Sequence, residues 1–437
     1  MNKLKLTNFF EDQFKSYSIY DSERSIANMI DGQKITSRKV LYTLNLKPNK
    51  EIKVAQLASS VAYETSYHHG EQGIGGVICN MAQNYAGANN INLLEPLGQF
   101  GSRLSPVPAA ARYIFTELSP IFKTLFKKED NLILEHHYDD DKQIEPKYYL
   151  PILPMILING SSGIGTGFAS KVLSYNPNDI KKDIISILKN KPRKPLVPWF
   201  NKFIGTVGPG ENENQWVITG DLEVVNTTTI KITELPIGTY LDDIKATLSK
   251  LKDQEFIKDY DDYSQEDGFN IEVTCFRTTT SLPIEELYSR FKLVSKESEN
   301  LTLWNQNHKL QVFKNASELI SCFVEFRITK YEERRLALVK FTEEEILLLD
   351  ERIRFIEFYL DNTKLFRNTG KTELFELLIS NKFTLPDRLL SMTIYSLTKD
   401  KIEEYQKELE KKLAYLEQLE TTTAKDIYLT ELQELKL

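Results

Sequence analysis

The feature that most constrains the fold is a change of hydrophobic period along the chain. Between residues 151 and 290, runs such as "QWVITGDLEVVNTTTIKITELP" and "FNIEVTCF" are rich in β-branched residues and predict strands of an α/β domain. From about residue 315, apolar residues recur at helical spacing between Glu and Lys, which predicts long, exposed antiparallel helices of coiled-coil type. The recurring residues are Leu349, Ile353, Ile356, Leu360 and Ile402, Leu409, Leu413, Leu416.

Length and composition set the broad class. A chain of 437 residues is longer than one core usually serves, and 41% hydrophobic with 27% charged residues is ordinary for a globular protein. No apolar run approaches the roughly 20 residues of a membrane span, and "MNKLKLTNFFEDQ" is not a secretory signal. Three widely spaced cysteines fit reduced thiols. We therefore expect two or three domains, a cytoplasmic location and no membrane partner.

The charge is uneven along the chain. A net charge of −7 argues against a protein that coats nucleic acid. However, the balance is positive from Arg24 to Lys39 and again from Arg103 to Lys128. A basic N-terminal part on an acidic body is a candidate nucleic-acid surface.

Residues 22–46 predict two helices around a turn at Asp31-Gly32. Arg38 and Lys39 precede the apolar face of the second helix, where a helix-turn-helix protein places the cations of its recognition helix. An ordinary helical hairpin with surface cations has the same pattern, so both interpretations stay open.

The stretch "PAAARYIFTELSP", residues 108–120, predicts a short packed helix that carries Arg112 and Tyr113. No nucleophilic Ser or Cys motif is present, so Tyr113 is the best covalent nucleophile of the chain. An adjacent cation such as Arg112 can lower the pKa of a phenol or stabilise a phosphoryl transition state. The chain has 21 tyrosines, and a packing role for Tyr113 is the alternative.

Two other segments favour structure over chemistry. "HHYDDD", residues 136–141, is interpreted as a solvated loop rather than a metal site, because adjacent aspartates on a rigid element cannot all face one ion. "NGSSGIGTG", residues 159–167, lacks the ending of a phosphate-binding loop and the spacing of a dinucleotide site. Its glycines permit close backbone approach, and Ile164 is either a wedge between base steps or buried under its own loop.

The order of several segments resembles the breakage–reunion half of type IIA DNA topoisomerases. The segments include "RSIANMIDGQKITSRKVLYT", "YHHGEQ", "MAQNYAGANN", "AAARYIFTEL" and "EPKYYLPILPMILINGSSGIGTGFAS". "YHHGEQ" and "EPKYYLPILPMILING" are more similar to eukaryotic topoisomerase II than to the corresponding bacterial gyrase chain. As a free-standing chain of this length, it most resembles the medium subunits of T-even-type phage topoisomerases.

The resemblance implies roles for individual residues. Tyr113 would attack the DNA backbone and become joined to a 5′ phosphate, Arg112 would stabilise the transition state, and Arg24 would act at the scissile phosphate. Ile164 would intercalate and bend the DNA. The remaining DNA-binding residues would be Lys34, Arg38, Lys39, His68 and His69.

The resemblance also implies an architecture, an α/β multidomain (α+β) chain. A winged-helix breakage–reunion domain would span residues 1–150, an α/β tower domain 151–315, and a coiled-coil arm with a helical dimer gate 316–437. The family's "GLKPxQR" is "GQKITSR" in this chain, which makes the phosphate contacts of Lys34 less regular than in the family.

Partners and cofactors follow from motifs that the sequence lacks. We find no GHKL ATPase motif and no Toprim acidic set, so ATP and most of the Mg²⁺ coordination are assigned to an ATPase/Toprim large subunit. Other partners would be double-stranded DNA and a second copy of the chain, in the host bacterial cytoplasm if the protein is phage-encoded. The sequence ends at Leu437 without a gyrase-like C-terminal domain, which favours relaxation and decatenation. The alternatives are a catalytically inert DNA-bending protein and a tyrosine recombinase.

Overall fold

The computed structural model describes residues 7, 9–46, 50–67, 69–266 and 268–437. These form two compact units, each treated by itself below. The first consists of Met1–Lys128, Leu134–Arg327 and Glu431–Leu437, and the second of Glu129–Ile133 with Ile328–Thr430. The predicted mixed α/β class is confirmed by the helices and strands that follow.

The α-helices are, in chain order, α1 (Lys15–Ser25), α2 (Ile35–Leu46), α3 (Val54–Glu64), α4 (Glu71–Ala82), α5 (Pro120–Leu125), α6 (Met155–Asn159), α7 (Pro177–Leu188), α8 (Leu241–Asp253), α9 (Arg277–Thr280), α10 (Ile284–Arg290), α11 (Ala316–Asp361), α12 (Thr363–Asn368), α13 (Lys371–Ser380), α14 (Pro386–Leu390), α15 (Lys399–Thr421) and α16 (Ala424–Glu434). A π-helical turn spans Phe9–Phe14, and 3₁₀ turns span Lys128–Leu132 and Ile394–Ser396. Within the described ranges, no helix is both long and apolar enough to cross a membrane.

The strands are β1 (Ile52–Lys53), β2 (Leu94–Leu97), β3 (Phe115–Leu118), β4 (His136–Asp139), β5 (Lys142–Pro146), β6 (Ser161–Gly165), β7 (Phe168–Val172), β8 (Thr206–Pro209), β9 (Gln215–Thr219), β10 (Asp221–Asn226), β11 (Thr229–Glu234), β12 (Ile257–Asp262), β13 (Ile271–Cys275), β14 (Val294–Ser298), β15 (Leu301–Trp304) and β16 (Leu310–Phe313). They form antiparallel sheets and hairpins.

A three-stranded sheet in the order β1-β3-β2 packs with helices α2, α3 and α4 near the N-terminus. The central strand β3 pairs Thr116 with Ile52 on one side and Leu118 with Leu94 on the other. Thr116 and Leu118 are buried while the residues between them are half-buried, the alternation expected of a strand with one face on a core. The segment that carries Tyr113 therefore leads directly into a fixed strand.

Two predictions for this region are corrected. "PAAARYIFTELSP" is not a helix: it is extended, turns at residues 111–113 and continues as β3, because alternate residues must enter the core. The helix expected to reach Ile30 ends at Ser25, and a tight turn at Gly32 (φ +68°) replaces it. A Cβ on Gly32 would lie 2.4 Å from the backbone nitrogen of Ile156, so this turn packs directly on α6.

The strands predicted between residues 215 and 275 are confirmed. Sheet β10-β11-β13-β12 packs its apolar face on α8 and α10, with a core that includes Ile232, Leu248, Val273 and Leu287. The segment "HHYDDD", interpreted as a solvated loop, lies instead in the β4–β5 hairpin.

In the second unit, α11 and α15 run antiparallel. Glu345 accepts from the Lys412 ammonium at 2.7 Å, and the guanidinium of Arg352 lies 5.7 Å from the ring centre of Tyr405. From the first contact to the second, the residue number rises by seven on α11 and falls by seven on α15, so the two helices run in opposite directions. Between these helices in the chain, α13 and α14 share a small core with Phe355.

Candidate active site

Tyr113 lies on the last residue of the turn before β3, and 66% of its surface is exposed. Its backbone amide donates to the carbonyl of Ala110 at 2.9 Å. The carbonyls of Ala111 and Ile114 accept from the first amides of α3, Ala55 at 3.1 Å and Val54 at 3.0 Å. These amides have no partner inside their own helix, so the turn satisfies them and is fixed in return. Tyr113 is an exposed phenol on a rigid backbone.

Arg112 accompanies Tyr113 into solvent. Its guanidinium carbon lies 4.7 Å from the centre of the Tyr113 ring, within cation–π range. Ile114, the next residue, is 2% exposed and anchors the pair to the core. The cation and the phenol are thus presented together, which is the arrangement expected if they share one phosphate.

Arg24, Tyr20 and His69 form a second exposed group. The guanidinium carbon of Arg24 lies 5.7 Å from the Tyr20 ring centre, and the Tyr20 hydroxyl is hydrogen-bonded to Nε2 of His69. Arg24 lies in the last turn of α1, and Gly70 (φ +82°) allows the chain to turn into α4 immediately after His69. His68 lies outside the described residues.

The predicted catalytic residues therefore lie on two different elements. Arg112 and Tyr113 contact each other on the turn that precedes β3, and Arg24 contacts Tyr20 on the last turns of α1. In each case a guanidinium lies over a phenol ring, and both cations are exposed. Both groups are therefore open to an anionic ligand.

Arg38 and Lys39 do not lie at the surface, so their prediction as phosphate contacts is corrected. The Arg38 guanidinium binds both carboxylate oxygens of Asp31, at 2.7 and 3.1 Å, and 6% of its side chain is exposed. Burial alone would lower the pKa of Arg38, but the attraction of Asp31 outweighs it, and the pKa is raised. The Lys39 ammonium binds Glu145 at 2.8 Å and the Thr65 carbonyl at 2.8 Å. Both cations are neutralised inside the fold.

Asp31 is the residue that the sequence analysis missed. Besides Arg38, its carboxylate accepts from the amides of Gln33 and Tyr149, each at 3.0 Å. A buried carboxylate with several donors fixes the turn between α1 and α2. Its place in the turn "IDGQK" suggested backbone hydrogen bonding, but the contact with Tyr149 is 118 residues away and leaves no local pattern.

Lys34 is half-buried. Its ammonium donates to the Ser162 carbonyl on β6 at 2.7 Å, and burial lowers its pKa below the ordinary lysine value. Strand β6 also carries Ile164, whose side chain is 84% exposed at the end of the β6–β7 hairpin. The alternative in which Ile164 is buried under its own loop is wrong. Lys34 thus links the turn of Asp31 to the hairpin of Ile164.

The described residues do not fit a metal site of their own. They contain no group of three or more His, Cys, Asp and Glu side chains positioned to hold an ion. The aspartates of "HHYDDD" lie on the tip and flanks of the β4–β5 hairpin, where Asp140 has a positive φ of 50°. His136 bonds through Nδ1 to the Ile144 carbonyl at 2.7 Å.

Comparisons with known proteins agree on one family. The family model for the A-subunit of DNA gyrase/topoisomerase IV matches residues 24–436. DNA topoisomerase 2 of Arabidopsis thaliana is 33% identical over 486 residues, which cover 99% of this chain and 33% of the plant protein. DNA topoisomerase 2 of Bombyx mori is 37% identical over 382 residues, with 85% of this chain and 24% of the insect protein covered. The chain thus spans about a third or less of the length of these relatives.

A solved structure has the same fold. The crystal structure of the Plasmodium falciparum topoisomerase II DNA-binding, cleavage and re-ligation domain superimposes with a TM-score of 0.93 at 33% identity. The match covers 99% of this chain and 64% of the solved chain.

Proposed function

The chain belongs to the family of DNA gyrase/topoisomerase IV A-subunits, and on this premise we propose that it is the DNA-cleaving and resealing part of an ATP-dependent type IIA topoisomerase. The observation that carries the proposal is the exposed Arg112–Tyr113 pair on a fixed turn. Tyr113 is also the tyrosine that the family resemblance matches to the nucleophile.

In this proposal the Tyr113 hydroxyl oxygen attacks a backbone phosphorus of DNA. A bond forms between phosphorus and the phenolic oxygen, the bond from phosphorus to the 3′ oxygen breaks, the phenolic proton passes to solvent, and the 3′ oxygen takes up a proton. The 5′ end of the DNA is then joined to Tyr113. One phosphoester replaces another, so the reverse attack by the 3′ hydroxyl reseals the strand without ATP.

Arg112 and Arg24 supply positive charge in this scheme. Negative charge accumulates on the phosphate oxygens during the transfer, and cations already in place stabilise it without reorganisation. Arg112 moves with Tyr113 because their side chains are in contact. Arg24, in the exposed group with Tyr20 and His69, is proposed to hold the scissile phosphate or one beside it. His69, and with it His68, is proposed to contact DNA.

The domain assignments are part of the proposal. Helices α2–α4 with sheet β1-β3-β2 have the composition of a winged-helix domain, which supports that assignment for residues 1–150. The sheets between β8 and β14 support the α/β tower over 151–315, and the antiparallel α11 and α15 support the coiled-coil arm and dimer gate over 316–437. Two copies, with one Tyr113 each, would cut the two strands.

Mg²⁺ and ATP are assigned to another polypeptide. The described residues do not provide a metal-ligand group. We propose that an ATPase/Toprim polypeptide supplies the magnesium ligands and the nucleotide site. The inert DNA-bending alternative is disfavoured, because an exposed Arg–Tyr pair on a fixed turn is not needed to bend DNA.

The test is Tyr113→Phe in the chain combined with an ATPase/Toprim polypeptide, Mg²⁺ and supercoiled plasmid. We expect relaxation and covalent protein–DNA complexes to be lost. Tyr63→Phe is the matched control, because Tyr63 is also exposed and has the Lys142 ammonium 5.0 Å from its ring centre. Relaxation by Tyr113→Phe would exclude this nucleophile. Covalent attachment at the 3′ end of the DNA would favour the tyrosine recombinase.

A further inference from the structure

The β6–β7 hairpin rests on helix α1 with no room for a side chain between them. A Cβ on Gly163 would lie 1.8 Å from the carbonyl oxygen of Ser25, and one on Gly165 would lie 3.0 Å from Oγ of Ser22. Neither glycine has a positive φ, so any residue type fits the backbone angles at these positions. Space alone requires glycine at position 163, and a methyl group at position 165 would press on Ser22, so strand and helix are in direct contact on both sides of Ile164.

Polar contacts fix the same hairpin from further directions. At its turn, the Thr166 hydroxyl donates to the Asp21 carboxylate on α1 at 2.8 Å. At its base, the Lys34 ammonium donates to the Ser162 carbonyl at 2.7 Å. On its outer strand, the Asn300 side-chain amide donates to the carbonyl of Ala169, the residue paired with Ile164, at 2.8 Å. Both strands and the turn therefore have bonded partners while Ile164 itself projects into solvent.

This support has a mechanical consequence. An isolated two-stranded hairpin is marginally stable, and bending a DNA site by 40–90° costs on the order of 1–6 kcal/mol. A wedge on an unsupported hairpin would deflect rather than separate base steps. Arg24, on the same helix turn as Ser22 and Ser25, would share any displacement of the hairpin.

We propose that α1 and the β6–β7 hairpin act as one rigid unit in which Gly163, Gly165, Thr166 and Asp21 are positioning residues, fixing the distance between the Ile164 wedge and the phosphate site at Arg24. The inference rests on the proposed function and adds a coupling to it: the DNA is engaged at Arg24 in the cleavable position only when the wedge is inserted. None of the four positioning residues needs to contact DNA.

The experiment measures bending separately from binding. The full chain is mixed with a duplex of about 30 base pairs that carries a donor and an acceptor dye at its ends. Energy transfer reports bending, anisotropy reports affinity, and thermal melting reports stability. Cleavage is measured in parallel with the ATPase/Toprim polypeptide and Mg²⁺.

The variants come in matched pairs. Thr166→Val removes the hydroxyl that binds Asp21, and Thr166→Ser retains it. Gly163→Ala places a methyl group against Ser25, whereas Gly208→Ala, on β8, adds the same methyl group where nothing lies within 4 Å. We expect Thr166→Val to reduce the bent fraction and cleavage together by about 3- to 10-fold, the worth of one hydrogen bond. We expect Gly163→Ala to reduce both at least as much, because a Cβ 1.8 Å from the Ser25 carbonyl oxygen must displace the hairpin. We expect Thr166→Ser and Gly208→Ala to behave like the unaltered chain.

The variant Ile164→Ala distinguishes a failure of the DNA-bending role of Ile164 from a failure of the role proposed for the positioning residues. If it leaves bending unchanged, the wedge role that the family resemblance implies for Ile164 is wrong. If it reduces bending while Thr166→Val and Gly163→Ala bend and cleave normally, the proposed function stands and the positioning inference is overturned. Should Gly163→Ala fail to fold, the Thr166→Val and Thr166→Ser pair decides alone, because a purely structural role would change melting without changing the ratio of bending to binding.

Discussion

The turn at Asp31 and the hairpin at Ile164 reverse the usual distribution of polar and apolar residues. In the turn, Arg38 and Lys39 are buried and bound to carboxylates. In the hairpin, a large aliphatic side chain is 84% exposed. Charged residues are almost never fully buried unless they are paired. An exposed large apolar side chain on a supported tip is available to a ligand.

The difference separates residues whose interactions are satisfied within the fold from residues left open to a ligand. Arg38 has a bidentate carboxylate partner, and only 6% of its side chain is exposed. Ile164, Arg24 and Tyr113 are exposed and rest on fixed backbone. Exposure on a rigid element, rather than charge by itself, is what identifies the proposed DNA surface of this chain.

The largest effect is expected from Asp31→Ala. It leaves the Arg38 guanidinium buried without its carboxylate and frees the Gln33 and Tyr149 amides, so the free energy of unfolding should fall by about 3–5 kcal/mol. Chemical denaturation measures this. The double variant Asp31→Ala with Arg38→Met should recover part of the loss, because no unpaired charge remains. A single variant as stable as the unaltered chain would contradict the assignment of this ion pair as structural.

The strands and long helices could be predicted because their hydrophobic periods are local. "IKITELP" and the helical repeats after residue 315 have the expected structure. The alanines of "AAARYIFTEL" favour a helix, whereas the pairing of this segment with β1 and β2 is decided by residues 18 to 64 positions away. Tertiary pairing overrode local propensity.

The resemblance supplied the residue identities of the candidate site, which stay predictions, and the sequence did not predict which of these residues are exposed. Pattern placed Arg38 and Lys39 on a recognition helix, where charge predicts a surface position. Their carboxylate partners are a residue of a turn and Glu145 on a distant strand, and no spacing rule joins these. Of the open alternatives for Ile164, burial under its own loop is excluded by the exposure of the residue in the folded chain, which no local pattern predicts.

The second effect in size concerns two isoleucines six residues apart. Ile158→Ala, at a fully buried position of α6, should lower the free energy of unfolding by about 2–5 kcal/mol. Ile164→Ala should change it by less than about 0.5 kcal/mol but lower the equilibrium between bent and unbent bound DNA by about 10- to 150-fold, as expected if burial of the side chain between base steps is worth about 1.5–3 kcal/mol. Thermal melting and dye-labelled DNA measure the two quantities. If Ile158→Ala and Ile164→Ala lower the free energy of unfolding equally, Ile164 has a packing role like that of Ile158, and the prediction is wrong.

The third prediction compares two cations by the salt dependence of DNA binding. Each phosphate contact contributes about 0.9 to the slope of log affinity against log salt. Arg24→Gln should therefore reduce the slope by about one unit, and Lys39→Met should leave it unchanged at a temperature where the variant is folded. A reduced slope for Lys39→Met would contradict this prediction and indicate that Lys39 contacts a DNA phosphate.

The smallest effect is expected at Lys34. This residue is intermediate between the buried, paired cations and the exposed residues of the proposed DNA surface, because it is half-buried and supports the hairpin. Its pKa is lowered by burial, so its charged form is disfavoured in the folded chain. As the pH rises through the lowered pKa toward the ordinary lysine value of 10.5, the folded state loses an unfavourable buried charge and gains stability relative to the unfolded chain. Over the same window the ammonium donor to Ser162 weakens and DNA binding loses a cation, so affinity should fall by about 1 kcal/mol, or about fivefold.

A rise in stability together with a fall in DNA affinity as the pH increases is the change expected specifically from Lys34. Lys34→Arg is the control, because a guanidinium stays charged throughout this range, and subtracting its pH profile removes the contribution of every other titrating group. Binding titrations and denaturation between about pH 8 and pH 10.5 measure the two quantities on the same samples. If both profiles match those of Lys34→Arg, Lys34 titrates like a solvent-exposed lysine and belongs with the open residues. If only the stability profile differs from that of Lys34→Arg, the charge of Lys34 affects the hairpin but not DNA binding, and Lys34 is a structural cation like Arg38 and Lys39.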